Sequence, residues 1–107
     1  MLKDKIIAVL GVGNMGEALV SGLVKSKTAD PNKLICTDVR QRQLDHLQKN
    51  YGVQVTKQNL EAVEAANIII YAVKPQIMAA VLKETSAALD KSKLIISIAA
   101  GVPLAAI

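Results

Sequence analysis

The chain has 107 residues, 51% of them apolar and 21% charged, the size and composition of one ordinary domain with a core of its own. Its formal charge of +4 comes from scattered basic residues, and Tyr51 and Tyr71 are the only aromatic side chains, so neither a basic run nor a stacking surface for nucleic acid is present. No apolar run approaches the roughly 20 residues that cross a bilayer, and the charged start Lys3-Asp4-Lys5 is unlike a secretory signal, so the reading is neither membrane-spanning nor secreted.

A strand near 5–10 leads into Gly11-Val12-Gly13-Asn14-Met15-Gly16 and then a helix near 14–26. Strand, G-x-G-x-x-G and helix in this order form the layout that holds a dinucleotide pyrophosphate. Gly11 permits the tight turn, Gly13 lets the backbone approach the phosphates, and Gly16 lets the helix pack closely on the strand. The helix begins at Asn14 and Met15, so its unpaired amides and positive dipole end face the pyrophosphate without need of a basic side chain. Met15, Ala18, Leu19, Gly22 and Leu23 recur at helical spacing, which places the Met15 side chain in the core and leaves its amide for the ligand.

Lys27 to Asn32, with Asp30-Pro31, reads as a surface loop before a second strand near 33–38. Cys36, the only cysteine, lies inside that apolar strand and is expected as a buried reduced thiol, which fits a cytoplasmic protein. Asp38 closes the strand about 22 residues after Gly16, where a carboxylate accepts hydrogen bonds from the adenosine ribose hydroxyls of NAD. Arg40 and Arg42 follow, and guanidinium groups there suit the 2′-phosphate of NADP or simply a solvated helix start. The segment therefore carries one feature for each cofactor. A helix near 40–50 ends at Gly52 as a C-cap, and His46, among Asp45, Gln48 and Lys49, reads as a surface side chain.

Strands near 53–55, 67–73 and 93–98 alternate with helices near 58–65 and 75–89, the last opened by Pro75. Apolar runs alternating with helix-period segments give repeated βαβ units, hence a doubly wound α/β fold with a parallel, Rossmann-like sheet. Ligands of such sheets sit beyond the carboxyl ends of the strands. That rule draws Ala72-Val73-Lys74-Pro75-Gln76 and Ser97-Ile98-Ala99-Ala100-Gly101 to the glycine turn. Lys74 suits phosphate or an anionic substrate, or plain solvation; Ala99, Ala100 and Gly101 suit a flat ring against backbone, or a tight turn. The nine carboxylates form no close acid/base pair, and no Ser-His-Asp, zinc-spaced or nucleophile-elbow pattern occurs, so no catalytic residue and no metal ligand is expected and the chemistry falls to a cofactor.

Gly11 to Gly16, Ala72 to Gln76 and Ser97 to Val102 together resemble the N-terminal domain of the pyrroline-5-carboxylate reductases, and the resemblance spans essentially the whole chain. It implies that Leu10, Gly11, Val12, Gly13, Asn14 and Met15 bind the cofactor phosphates. Ala72, Val73, Lys74 and Pro75 would contact the nicotinamide half, with Ile98, Ala99 and Ala100 lining the same crevice. Asp38 and Asn59 fall near the adenosine ribose. Members that use NADP place a small polar residue at this position, from which Asp38 departs, so that NAD stays open beside the NADP that is expected. The implied reaction is hydride delivery to the C=N carbon of 1-pyrroline-5-carboxylate, giving proline. Members continue into an all-helical C-terminal domain that dimerises and supplies most of the substrate pocket. Residues 1–107 are therefore expected to form one dinucleotide-binding domain, truncated before that helical part, binding cofactor without efficient turnover because half of the orienting surface is absent. A related imine or hydroxyacid reductase, or an NAD(P)-sensing regulatory domain without chemistry, are the alternative readings.

Overall fold

In the computed structural model, which describes residues 4–90 and 92–97, the short apolar runs form a five-stranded sheet. Its strands are β1 (Ile7–Leu10), β2 (Leu34–Thr37), β3 (Gln54–Thr56), β4 (Ile68–Tyr71) and β5 (Leu94–Ser97). They lie in the order β3-β2-β1-β4-β5, every neighbouring pair parallel, with Leu10 opposite both Thr37 and Tyr71. Every residue of β1 and β4 is buried, because helices cover both faces of a parallel sheet and no polar alternation is then needed.

The helices are α1 (Asn14–Lys25), α2 (Gln41–Tyr51), α3 (Asn59–Ala65) and α4 (Pro75–Thr85). The pleat sends Ile7 and Val9 to one face, where Val20 of α1 and Leu47 of α2 meet them with Cys36. Ala8 and Leu10 go to the other, against Val63 of α3 and Met78 of α4. Burial of Cys36 pushes its thiol up to about 12, an unreactive form at neutral pH. Gly52 ends α2 in the left-handed region at φ 70°, its amide bonded to the Gln48 carbonyl.

Two expectations are corrected. The last helix stops at Thr85, followed by a 3-10 turn over Ser86–Ala88, instead of running to 89. Thr85 is fully buried, and its hydroxyl meets the Val81 carbonyl and the Tyr71 hydroxyl, each at 2.8 Å, which anchors the helix end to β4. The Met15 side chain is 55% exposed and outside the core. A Cβ on Gly16 would lie 3.3 Å from Ala72 Cβ and 3.4 Å from Val12 Cγ1, so the helix touches the sheet along Gly16 and Val20. Met15, one residue earlier, is turned away by about 100°.

Candidate functional site

Beyond Leu10 the chain turns at Gly11, whose φ of +76° favours glycine, and a Cβ there would sit 2.3 Å from Val73 Cγ1. Thr37 fixes the turn from β2, its carbonyl accepting from the Gly11 and Val12 amides at 3.0 Å each. Gly13 is the N-cap of α1, brings no side chain to cap it, and has nothing within 4 Å of where a Cβ would stand. The first amides of α1 therefore open onto free space with their dipole end forward.

That space is a cleft of about 490 Å³ over the carboxyl ends of β1, β2 and β4, where the chain has reversed its direction across the sheet. Gly11, Gly13 and Asn14 form one wall, Asp38 and Arg40 another, and Ala72, Val73 and Lys74 a third. A smaller adjoining lobe of about 140 Å³ is lined by Thr37, Lys57 and Asn59. Three segments far apart in sequence are thus brought together.

Other expected site residues sit differently. Leu10 is fully buried, its carbonyl taken by the Ala72 amide at 2.9 Å, and the Val12 side chain is equally enclosed. Gly16 is a packing residue, while Met15 and Pro75 stand outside the walls of the cleft. Asn59 has its amide engaged, accepting from the Thr37 hydroxyl and donating to Glu84 Oε1 at 2.9 Å. Ile98, Ala99 and Ala100 lie outside the described residues.

Asp38 and Arg40, read from sequence as rival cofactor signals, bind one another. Arg40 Nε and NH2 donate to the two carboxylate oxygens at 2.9 and 3.1 Å, and the Arg40 amide donates to Oδ1 at 2.9 Å. The Asp38 side chain is 8% exposed and that of Arg40 is 59% exposed, so the guanidinium is what meets solvent. Burial would raise the Asp38 carboxyl, but the hydrogen bonds from Arg40 outweigh it and leave Asp38 below the usual carboxylate range. Arg42 is exposed on α2 and lines neither lobe.

Sequence reasoning missed three residues in the wall of the larger lobe. Val39 is 85% exposed and Ile77 47% exposed, an apolar pair at the junction of both lobes, and Gln43 lines the larger one. A valine between Asp38 and Arg40 was a readable signal, since nothing in a helix start requires it. His46 is a surface side chain as expected, but Glu17 Oε2 lies 2.8 Å from its Nε2. Among the described residues no three His, Cys, Asp or Glu side chains are grouped to hold a metal, and no helix is long and apolar enough to cross a membrane.

The model of the family described as NADP oxidoreductase coenzyme F420-dependent matches residues 6–101. This chain belongs to that family. The chain is 38% identical over 103 residues to the pyrroline-5-carboxylate reductase of Methanosarcina acetivorans, covering 96% of this chain and 38% of that relative. Among solved structures it matches a pyrroline-5-carboxylate reductase from Coxiella burnetii with a TM-score of 0.87 and 31% identity, covering 95% of this chain and 38% of that one. The Plasmodium falciparum pyrroline carboxylate reductase, solved with NADP bound, matches with a TM-score of 0.83 and 27% identity over 99% of this chain and 37% of that one. The chain thus spans well under half the length of the relatives it matches, and the likeness falls on their Rossmann-like part.

Proposed function

We propose that this chain is the NADP-binding part of a pyrroline-5-carboxylate reductase, which reduces 1-pyrroline-5-carboxylate to L-proline. The observation that carries this reading is the glycine turn itself. Gly13 leaves its front open, the first amides of α1 have no side-chain cap, and relatives of that name match along nearly the whole chain. The Asn14 amide and those after it in the first turn of α1 would hold the pyrophosphate as backbone donors, while Gly11 and Gly13, their own amides engaged, keep any Cβ out of the way. Of the coenzymes in the family's description, NADP carries the 2′-phosphate that the exposed Arg40 guanidinium suits. Arg40 also neutralises Asp38, so the carboxylate presents little charge against that phosphate. Ala72, Val73 and Lys74 would orient the nicotinamide end, together with Ile98, Ala99 and Ala100.

The bound cofactor would supply a hydride to the C=N carbon of the substrate. The chain's own part is to position the donor and exclude alternatives around it, for among the described residues no acid/base pair faces the cleft on the side of Lys74. We further place the complete protein in the cytoplasm, consistent with a buried thiol at Cys36, as an oligomer formed through a helical part outside this chain. The deciding assay uses this chain with whatever natural sequence flanks it and follows NADPH consumption with 1-pyrroline-5-carboxylate. Turnover to proline is expected. Cofactor binding with no reduction of any cyclic imine would reject the enzymatic assignment.

A further inference from the structure

The four consecutive carbonyls from Leu10 to Gly13 are all engaged, three of them by backbone. Leu10 accepts from the Ala72 amide, Gly11 from the Gly13 amide at 3.0 Å, and Gly13 from the Glu17 amide at 2.8 Å. The fourth, Val12, is held by a side chain 31 residues away, Gln43 Nε2 at 2.8 Å. The Val12 carbonyl and the Gly13 N–H belong to one rigid peptide plane. Fixing that oxygen by Gln43, and that N–H by the Gly11 carbonyl, sets the plane at both ends.

The second proton of the Gln43 amide points to Glu17 Oε1 at 3.3 Å. Glu17 is in turn held by the Tyr51 hydroxyl at 2.9 Å and by His46 at 2.8 Å, so residues of α1 and α2 lock the Gln43 side chain from behind. The hydrogen bond with His46, with those from Tyr51 and Gln43, keeps the Glu17 carboxyl below its ordinary value. The Gln43 amide of the main chain donates to the Arg40 carbonyl at 3.1 Å, which joins the same residue to the segment carrying Asp38 and Arg40.

We infer that Gln43 is a positioning residue for dinucleotide binding: its side-chain amide turns the Val12 carbonyl away from the cleft and so shapes the phosphate turn at Gly13. Without that donor the peptide plane is held through its N–H alone, and rotation would carry the partly negative oxygen toward the pyrophosphate, which repels it. The inference rests on the reading that this cleft takes a dinucleotide. Its effect falls on the pyrophosphate and spares the 2′-phosphate end.

The test titrates this chain with NADPH and, separately, with 2′-AMP, which carries the ribose 2′-phosphate but no phosphate for the glycine turn. Gln43→Leu keeps the volume and removes the donor; it is expected to weaken NADPH roughly tenfold, the scale of one lost hydrogen bond, and to leave 2′-AMP binding nearly unchanged. Gln43→Glu sets a carboxylate against Val12 and Glu17 and should weaken NADPH at least as much. In both variants the Gly13 amide resonance should move in the free protein. NADPH binding equal to wild type in either folded variant overturns the inference, as does parallel loss of NADPH and 2′-AMP. A wild-type chain that binds no NADPH overturns the cleft reading itself.

Discussion

At the scale of single residues, Gly11 and Gly13 look alike in sequence and differ in what they tolerate. Gly11→Ala meets Val73 and adopts a backbone conformation unfavourable to alanine, so urea unfolding should show a loss of about 1–3 kcal/mol. Gly13→Ser enters open space and supplies a favourable N-cap side chain, so stability should hold or rise slightly while NADPH binding falls. Equal stability losses in the two variants would contradict the geometry. Arg40→Ala is expected to weaken NADPH about tenfold or more and to improve NADH by freeing Asp38; equal effects on both cofactors in a binding titration would reject a 2′-phosphate role. Asp38 has its carboxyl lowered in the folded chain, so its charge stabilises above the unfolded value of roughly 3.9 and that contribution fades as pH falls through the folded value. Urea unfolding of wild type and Asp38→Asn should therefore differ by a constant amount from pH 5 to 8, and the difference should shrink in more acid solution. Both residues of this pair stood out in the sequence. Their mutual bond did not, because it depends on the extended backbone at Arg40 that folds its amide and guanidinium over Asp38.

At the scale of elements, the strand-turn-helix at 7–25 was legible because its signals are local: an apolar run, glycines at fixed spacing, and a helix start. The face of α1 was legible only in part, since Leu19 and Leu23 pack on the core as their spacing implies while Met15 does not. Periodicity permits adjacent stripes, one through Met15 and Gly22 and one through Gly16 and Val20, and only the close approach of Gly16 to Ala72 selects the second. The end of α4 was equally hidden, since it is set by Thr85 meeting Tyr71 across 14 residues. That contact yields a test by chemical denaturation. Tyr71→Phe leaves Thr85 its Val81 carbonyl and should cost about 1 kcal/mol, whereas Thr85→Val leaves the buried Tyr71 hydroxyl unpartnered and should cost about 1–3 kcal/mol. The Gln43–Glu17–Tyr51 group escaped the sequence reading for the same reason, its members being joined only when α2 is laid beside α1.

At the scale of the whole molecule, the parallel class followed from alternation, while the order β3-β2-β1-β4-β5 needed the assembled sheet. The order leaves β5 paired on one side within the described sheet, with Leu94 56% exposed. Unpaired apolar edges recruit other chains. Sedimentation of this chain should show association that grows with concentration and recedes in Leu94→Lys; a monodisperse wild-type monomer at high concentration would count against it. The central place of β1 also has a consequence in time. Of the strands in this sheet it leaves a ribosome before the other four, yet its second flank waits for β4, as the bond from Ile6 to Asn67 spans 61 residues. At synthesis rates of roughly 5–20 residues per second that wait lasts several seconds, during which the nascent chain holds the future middle of its sheet as an open border.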